Sequence, residues 1–221
     1  MPKTVLPIDW RPIEHVVLDF GGVLYDIDHQ RTASAFEALG FKDFQSLYDH
    51  GHQSALLDDL ECGHLTEEDF LMTLRNRCAH EASIDDVRDA WNAVLIGLKT
   101  DVMSSLQRLG RRFDLLLFSN TNAIHAAHFE QQILKTQGRS FGEAFRQVVY
   151  SHRLGQRKPS IEAYETVSEQ HGLDPEATLF IDDTLINVHG ARAAGWQAIH
   201  YEPQLRSFSQ LLDDLGLEAR S

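Results

Sequence analysis

The chain has 221 residues, of which 43% are hydrophobic and 24% are charged. This length suits one large domain or one domain with an insert, and the composition excludes a disordered chain. The 20 basic and 33 acidic residues give a net charge of −13, which argues against nucleic-acid binding and against docking on an anionic membrane. A small anionic substrate stays compatible, because a metal ion or a local lysine can reverse the sign of the charge inside one pocket.

The sequence also bears on location and assembly. No stretch approaches the ~20 apolar residues of a membrane-spanning helix, and the N-terminal MPKTVLPIDWRP lacks the apolar run of a signal peptide. Cys62 and Cys78 are the two cysteines, too few for a disulfide scaffold. We therefore expect a cytoplasmic protein with reduced thiols, present as a monomer or a homodimer.

The first predicted element is a buried strand within residues 13–20, where the apolar run HVVL is followed by Asp19 and then by Gly21 and Gly22. From about residue 28 to residue 98 helical periodicity dominates and no convincing strand is found. Thr66 and Ser83 each precede acidic residues in this stretch, as helix N-caps do.

This helical stretch is too long for a loop. We interpret residues 27–98 as an inserted all-helical cap with hinges near residues 24–28 and 97–101, and residues 1–26 and 99–221 as the core. Beyond residue 100 strands alternate with helices, and the predicted strands are residues 114–118, 147–151, 178–181 and 197–201. This alternation predicts an α/β fold with a Rossmann-like parallel sheet and helices on both faces.

Polar residues follow three of the predicted strands. They are Asp19, the Ser119-Asn120 pair and the Asp182-Asp183 pair, and Lys158 lies in the loop before a later helix. In an open α/β sheet, ligands bind at the carboxyl ends of the strands. We therefore expect these groups to meet at one edge of the sheet.

The chemistry that suits this set is phosphoryl transfer through a covalent intermediate. A carboxylate attacks phosphorus, and water then opens the acyl phosphate. The approach of two anions needs a divalent cation, for which Asp19, Asp183 and the carbonyl of Gly21 are candidate ligands. Ser119 and Lys158 are candidates to hold the equatorial phosphoryl oxygens.

The motifs around these residues resemble those of the haloacid dehalogenase-like hydrolase superfamily. DFGGVL at residues 19–24, SNT at 119–121, RKP at 157–159 and IDDT at 181–184 resemble its four motifs in order. Each motif is weak alone, but four in order are specific. The segment ECGHLTEEDF at residues 61–70 resembles the helical cap of a branch that contains bacterial glucose-1-phosphatase-type sugar-phosphate phosphatases.

This resemblance implies a role for each matching residue. Asp19 is the implied nucleophile, and Ser119 and Lys158 are implied to bind the phosphoryl oxygens, with Asn120 lining the pocket. The implied ligands of Mg²⁺ are Asp19, the Gly21 carbonyl, Asp183, and Asp182 either directly or through a water. The implied partner is a small phosphorylated metabolite, with a sugar phosphate as the first expectation.

One departure from the family pattern leaves alternatives open. Most phosphatases of this superfamily carry an acid/base aspartate two residues after the nucleophile, where this chain has Gly21. A substitute is sought among Tyr25, Asp26, Asp28 and the histidines of the cap. The alternatives are a metal-independent 2-haloacid dehalogenase, or a catalytically weak ligand-binding or regulatory protein.

Overall fold

The computed structural model describes residues 12–44, 47 and 55–216; residues 1–11, which the sequence assigns to the core, lie outside them. Seven strands occur in the described part of the chain: β1 (His15–Leu18), β2 (Tyr25–Ile27), β3 (Leu95–Leu98), β4 (Asp114–Ser119), β5 (Gln147–Tyr150), β6 (Thr178–Asp182) and β7 (Gln197–His200). Five of them form a parallel sheet in the order β5-β4-β1-β6-β7. The predicted parallel α/β sheet is confirmed.

Ten α-helices accompany these strands within the described ranges. They are α1 (His29–Ala38), α2 (Ala55–Glu61), α3 (Glu67–Arg75), α4 (Ile84–Asn92), α5 (Val102–Leu109), α6 (Ala123–Gln137), α7 (Ser151–Leu154), α8 (Ile161–His171), α9 (Leu185–Ala193) and α10 (Phe208–Asp214). The six helices after residue 100 lie between and beside the strands β4 to β7, as the predicted alternation requires.

The central sheet is covered on both faces, which explains the unbroken apolar run in β1. Val16 and Leu18 point into a core cluster formed with α5, α6 and α10. Val17 points to the opposite face, into a cluster formed with α8 and α9. Successive side chains of a strand alternate between faces, so a strand with helices on both sides must be apolar throughout.

The helices α1–α4 enclose a third hydrophobic cluster, to which Ile124 of α6 also belongs. Two of these helices, α3 and α4, begin at the predicted N-cap residues. The Thr66 side chain accepts a hydrogen bond from the Asp69 amide, and Ser83 forms a capping box with Asp86. Both predicted N-caps are confirmed. The division of the chain into a core and a cap domain stays a prediction.

A two-stranded antiparallel sheet joins the helical segment to the main sheet. β2 pairs with β3, and the Asp28 amide donates to the Val94 carbonyl at 2.9 Å beside them. The expectation of no strand between residues 28 and 98 is therefore wrong for β3. Its sequence LIGL is short, contains a glycine and is partly exposed, and its partner lies about 70 residues away, so no local pattern indicates the pairing.

Two further features concern the chain as a whole. Within the described ranges, no helix is both long enough and apolar enough to span a bilayer. Cys62 and Cys78 form no disulfide in the described structure.

Candidate active site

The predicted polar residues lie at the carboxyl ends of three neighbouring strands. Ser119 ends β4, Asp19 follows β1, and Asp182 ends β6. These strands are adjacent in the sheet, and all three side chains are buried. The topology thus brings together the groups that the sequence separates by up to about 160 residues.

Lys158 reaches this edge from the loop between α7 and α8. Its Nζ lies 2.5 Å from Asp19 Oδ1 and 2.8 Å from Asp182 Oδ2, and it donates to the Phe118 carbonyl at 2.9 Å. The side chain is 1% exposed. Because an ammonium has three donors, these three acceptors fix its position.

Asn120 holds the backbone of the same loop. Its Oδ1 accepts from the Lys158 amide at 3.0 Å, and its Nδ2 donates to the Lys158 carbonyl at 2.8 Å. Among the described residues, the Ser119 hydroxyl makes one long contact, 3.4 Å, with the Asn120 carbonyl. Asn120 therefore has a positioning contact with Lys158, whereas the Ser119 hydroxyl is able to turn toward a ligand.

Asp182 is surrounded by donors. Its Oδ1 accepts from the Thr184 amide at 2.7 Å, and both of its oxygens lie 3.1–3.2 Å from Asn187 Nδ2. Its Oδ2 also accepts from Lys158. These contacts occupy the carboxylate, so its geometry favours orienting Lys158 over direct coordination of a metal.

Asp183 occupies the more open side of the cluster and is half-buried, unlike Asp182. Gly22, with φ of +75°, lies directly against its carboxylate. A Cβ at this position would collide with the Asp183 carboxylate, and the positive φ would itself strain any other residue. The second glycine of the first motif is therefore needed to seat Asp183.

Burial, and after it the charges of neighbouring groups, change the pKa values of this cluster. Burial raises the pKa of Asp19 to about 7; Lys158 opposes the rise, and Asp182 and Asp183 add to it. Burial, helped by Asp182, also raises the pKa of Asp183. Burial alone would lower the pKa of Lys158, but the attraction of Asp182 and Asp19 raises it instead.

The donor set suits a divalent cation. Asp19, Asp182 and Asp183 each place an oxygen within 4.8 Å of the others, and Lys158 is the one cation bonded to them among the described residues. When all three carboxylates are ionised, one ammonium leaves an excess of negative charge in a buried site, which is costly without a cation. Hard carboxylate oxygens are the ligands that Mg²⁺ prefers.

Two spaces that share several lining residues lie beside the cluster. The larger, which we call the acidic cleft, has a volume of about 740 Å³ and is lined by Asp19, Lys158 and Asp183 together with Asp58 and Glu61 of α2. The smaller, the inner cavity, has a volume of about 150 Å³ and lies between the helical segment and the main sheet. Its walls are mainly apolar side chains, namely Phe20, Ile27, Leu57, Leu60, Trp91, Val94, Leu95 and Phe129.

The inner cavity also carries polar groups that the sequence does not single out. Thr32 is 2% exposed and Trp91 is 4% exposed. Within the described part of the chain, the Thr32 hydroxyl and the Trp91 indole N–H have no hydrogen-bond partner. The sequence offers one signal for this site: Thr32 lies four residues before the buried Phe36, so it places a hydroxyl on an otherwise apolar face of α1.

Comparison with known proteins gives a consistent family. A family model described as haloacid dehalogenase-like hydrolase matches residues 13–195, which include all four motifs. A D-ribitol-5-phosphate phosphatase from Bacteroides thetaiotaomicron is 27% identical over 190 residues, covering 86% of this chain and 92% of that protein.

Solved structures agree with this match. A mutant haloacid dehalogenase family enzyme from Bacteroides thetaiotaomicron, in complex with magnesium and inorganic phosphate, has a TM-score of 0.85 at 26% identity, covering 90% of this chain and 98% of that one. A haloacid dehalogenase-like hydrolase from Porphyromonas gingivalis has a TM-score of 0.79 at 28% identity over the same shares of the two chains.

Proposed function

This chain belongs to the haloacid dehalogenase-like hydrolases, and on that premise we propose that it is a Mg²⁺-dependent phosphatase of a sugar or polyol phosphate, with Asp19 as nucleophile. The observation that carries the proposal is the 2.5 Å contact between Lys158 Nζ and Asp19 Oδ1 at the buried end of β1. A buried carboxylate held by an ammonium is oriented for attack, and Lys158 opposes the rise in the pKa of Asp19 that burial causes.

In this mechanism each residue of the cluster has a different role. Asp19 attacks phosphorus, the bond to the leaving oxygen breaks, and a phosphoryl-aspartate forms. Lys158 and Ser119 stabilise the phosphoryl oxygens as their charge redistributes. Asp182 orients Lys158, as its contacts with Asn187 and Thr184 suggest. Water then attacks phosphorus, and the electron pair of the broken bond returns to Asp19.

The Gly21 carbonyl, Asp19 and Asp183 are the ligands we assign to Mg²⁺. When bound there, the ion neutralises the charge of the phosphate and of the carboxylates that face it. Support comes from the net negative charge of the cluster and from the relative solved with magnesium and phosphate.

The size and lining of the inner cavity suit a small leaving group. Its volume of about 150 Å³ is compatible with a short sugar or polyol, and the unpartnered Thr32 hydroxyl and Trp91 N–H offer hydrogen bonds to hydroxyl groups. Among the described residues, no lysine or arginine lines this cavity. An uncharged leaving group fits this environment, in line with the D-ribitol-5-phosphate phosphatase relative.

Hydrolysis of p-nitrophenyl phosphate and of D-ribitol 5-phosphate, each with Mg²⁺ and with EDTA, tests the proposal. We expect turnover of both with Mg²⁺, and loss of turnover to the background rate with EDTA or in Asp19→Asn. In the wild type, electrospray mass spectrometry after a rapid acid quench should detect a phosphorylated protein, which Asp19→Asn should lack. Turnover that survives both changes would contradict the proposal.

The same assays decide between the proposal and its alternatives. A 2-haloacid dehalogenase would release halide from 2-chloropropionate in the presence of EDTA. Such an enzyme needs a cation for the substrate carboxylate, and Arg31, the nearest after the first motif, lines neither space. A ligand-binding protein would bind a phosphate ester tightly without turnover.

A further inference from the structure

The peptide group between Asp183 and Thr184 is held at both of its polar atoms. Its N–H donates to Asp182 Oδ1 at 2.7 Å, and its carbonyl oxygen lies 2.9 Å from His200 Nε2. Because a carbonyl oxygen can only accept, Nε2 is the nitrogen that carries the hydrogen in this contact. The N–H and C=O of a trans peptide point in opposite directions, so the plane of this peptide group is fixed from two sides.

The main sheet places His200 for this contact. His200 is the last residue of β7 and lies opposite Asp182 of β6 in the parallel ladder. The Tyr201 amide then donates to the Asp182 carbonyl at 2.9 Å, which extends the pairing one residue beyond β7. The half-buried imidazole is therefore held beside the turn by a strand, and a strand positions a side chain more precisely than a loop does.

The carboxylate of Asp183 depends on this backbone for its direction. Gly22 closes one side of the carboxylate, where a Cβ would collide with it. The Thr184 hydroxyl makes a long contact of 3.4 Å with Asp183 Oδ1, which is a weak constraint. A rotation of the peptide group after Asp183 would therefore move the carboxylate against Gly22 or away from the acidic cleft.

The same peptide group is also linked to the nucleophile. Asp182, which accepts from its N–H, accepts from Lys158 Nζ at 2.8 Å, and this Nζ lies 2.5 Å from Asp19 Oδ1. Hydrogen bonds in series polarise one another, so a donor on the carbonyl of a peptide group strengthens its N–H as a donor. The contact of His200 therefore supports Asp182 as well.

We propose that His200 is a positioning residue of the Mg²⁺ site, which acts by donating from Nε2 to the Asp183 carbonyl and so fixes the direction of the Asp183 carboxylate. This inference rests on the proposed function, which assigns Asp183 to Mg²⁺. His200 lines neither the acidic cleft nor the inner cavity, so its action is through Asp183. Loss of a group that orients a metal ligand typically weakens metal binding 10- to 100-fold.

Three substitutions of His200 separate the donor from the bulk of the ring. His200→Gln keeps an N–H donor at about the reach of Nε2, His200→Leu removes the donor, and His200→Asn keeps a polar amide that is too short to reach the carbonyl. Titration calorimetry of the metal-free protein with Mg²⁺ measures the affinity without substrate. We expect the Kd for Mg²⁺ to rise ~10-fold or more in His200→Leu and His200→Asn, and to stay within about threefold of the wild type in His200→Gln.

Steady-state kinetics with p-nitrophenyl phosphate give a second readout. The Mg²⁺ concentration for half-maximal activity should rise in His200→Leu by the same factor as the Kd. At saturating Mg²⁺, kcat and the KM for the ester should stay within about threefold of the wild type, because the occupied site holds Asp183 in place. His189→Leu, a change at an exposed residue of α9 that lines neither space, is the matched control and should behave as the wild type.

A third readout needs neither metal nor turnover. In the Mg²⁺-free protein, hydrogen exchange of the Thr184 amide, followed by NMR, should be about 5- to 10-fold faster in His200→Leu than in the wild type, as a weakened hydrogen bond predicts. The amides of β1 should exchange as in the wild type. This comparison distinguishes a local loss of order at Asp183 from a general loss of stability.

The results that would overturn the role of His200 are specific. One is a lower thermal stability in His200→Leu and His200→Asn with unchanged affinity for Mg²⁺, which would make the contact structural. Another is an equal loss of affinity in His200→Gln, which would exclude the donated hydrogen bond as the cause.

Failure of this inference is distinguishable from failure of the proposed function. If wild-type turnover depends on Mg²⁺ and Asp19 but the His200 variants bind Mg²⁺ as the wild type does, only the role of His200 is overturned. If the wild type binds no Mg²⁺, or if its turnover needs neither Mg²⁺ nor Asp19, both are overturned.

Discussion

Two carboxylates contact Lys158, and their surroundings suit them to different tasks. Asp182 accepts four contacts from Lys158, Thr184 and Asn187. In the described structure, Lys158 is the only donor to the Asp19 carboxylate, at 2.5 Å. A carboxylate with few donors keeps lone pairs for attack, whereas one saturated with donors is a fixed support. In the proposed mechanism, the reacting carboxylate is therefore a different group from the carboxylate that positions the Lys158 ammonium.

Thr32 offers a residue-scale test of the inner cavity. Its buried hydroxyl lacks a partner within the described residues, so Thr32→Val should leave stability unchanged or raise it slightly, since valine has nearly the same shape. If the hydroxyl binds a substrate hydroxyl, KM for D-ribitol 5-phosphate should rise about 5- to 10-fold, the equivalent of ~1 kcal/mol.

Steady-state kinetics and thermal unfolding check this prediction together. The KM for p-nitrophenyl phosphate is the internal control and should stay within about twofold of the wild type, because a nitrophenyl group presents no hydroxyl. An equal rise in KM for both esters would mean that the substitution disturbs the cleft as a whole. A clear loss of stability would mean that the hydroxyl has a structural partner.

The residues of the site differ in how far the sequence predicts them. Asp19, Ser119 and Asp182 follow apolar runs, so the strand-end rule of a parallel sheet predicts that they meet, and they do. The contrast between Asp182 and Asp183 depends on the donors around each one. Two adjacent aspartates in a sequence do not show which of them is surrounded by donors. Similarly, nothing in the sequence of α1 indicates that His29 and Thr32 line a space closed by Trp91, about 60 residues away.

At the scale of elements, the helical segment is joined to the main sheet by contacts of several kinds. The chain enters the helical segment through β2 and leaves it through β3, and the two strands pair with each other. Arg157 bridges from the loop after α7 to Asp58 and Glu61 of α2. Gly63, at φ of +70°, fits against the His152 carbonyl, where a Cβ would collide. Local periodicity predicted the helices themselves, but these joints link distant residues and so carry no local signal.

The stack of His125 on Trp91 is another of these joints and makes a prediction about pH. The rings lie 4.8 Å apart, and His125 Nε2 lies 3.1 Å from the Trp91 carbonyl, linking α6 to α4. Burial lowers the pKa of His125 to about 4. In the unfolded chain a histidine takes up its proton near pH 6.5. The unfolded state therefore binds more protons between these values, and stability falls as the pH drops from about 6.5 to about 4.

His125→Gln removes this titration and keeps an N–H donor for the Trp91 carbonyl. The variant should be less stable than the wild type at pH 7.5, because the ring stack is lost. At pH 4.5 the difference in unfolding free energy should shrink by at least about 1 kcal/mol, out of at most roughly 3 kcal/mol for the full shift. Urea unfolding at both pH values measures the difference. A gap that does not change with pH would contradict the assigned titration.

At the scale of the whole molecule, the net negative charge of the chain repels the anionic substrate proposed for the site. The chain carries −13, whereas the proposed substrate is a phosphate dianion. Lys158 is held beneath the cluster by two carboxylates, so its field outside the cleft is largely cancelled. Local attraction therefore acts only at short range, while repulsion from the surface acts over the Debye length, which is about 30 Å at 0.01 M salt and about 8 Å at 0.15 M.

This balance predicts how kcat/KM depends on the salt concentration. With Mg²⁺ saturating, kcat/KM for a phosphate dianion should rise about two- to threefold as ionic strength increases from 0.01 to 0.15 M, because salt screens the long-range repulsion. A matched variant, Glu165→Lys with Glu169→Lys on the exposed side of α8, makes the surface less negative without touching the cleft. It should raise kcat/KM at low salt and flatten the salt dependence. A fall in kcat/KM with added salt in the wild type would show that attraction within the cleft governs encounter, and the surface charge would then have no part in substrate capture.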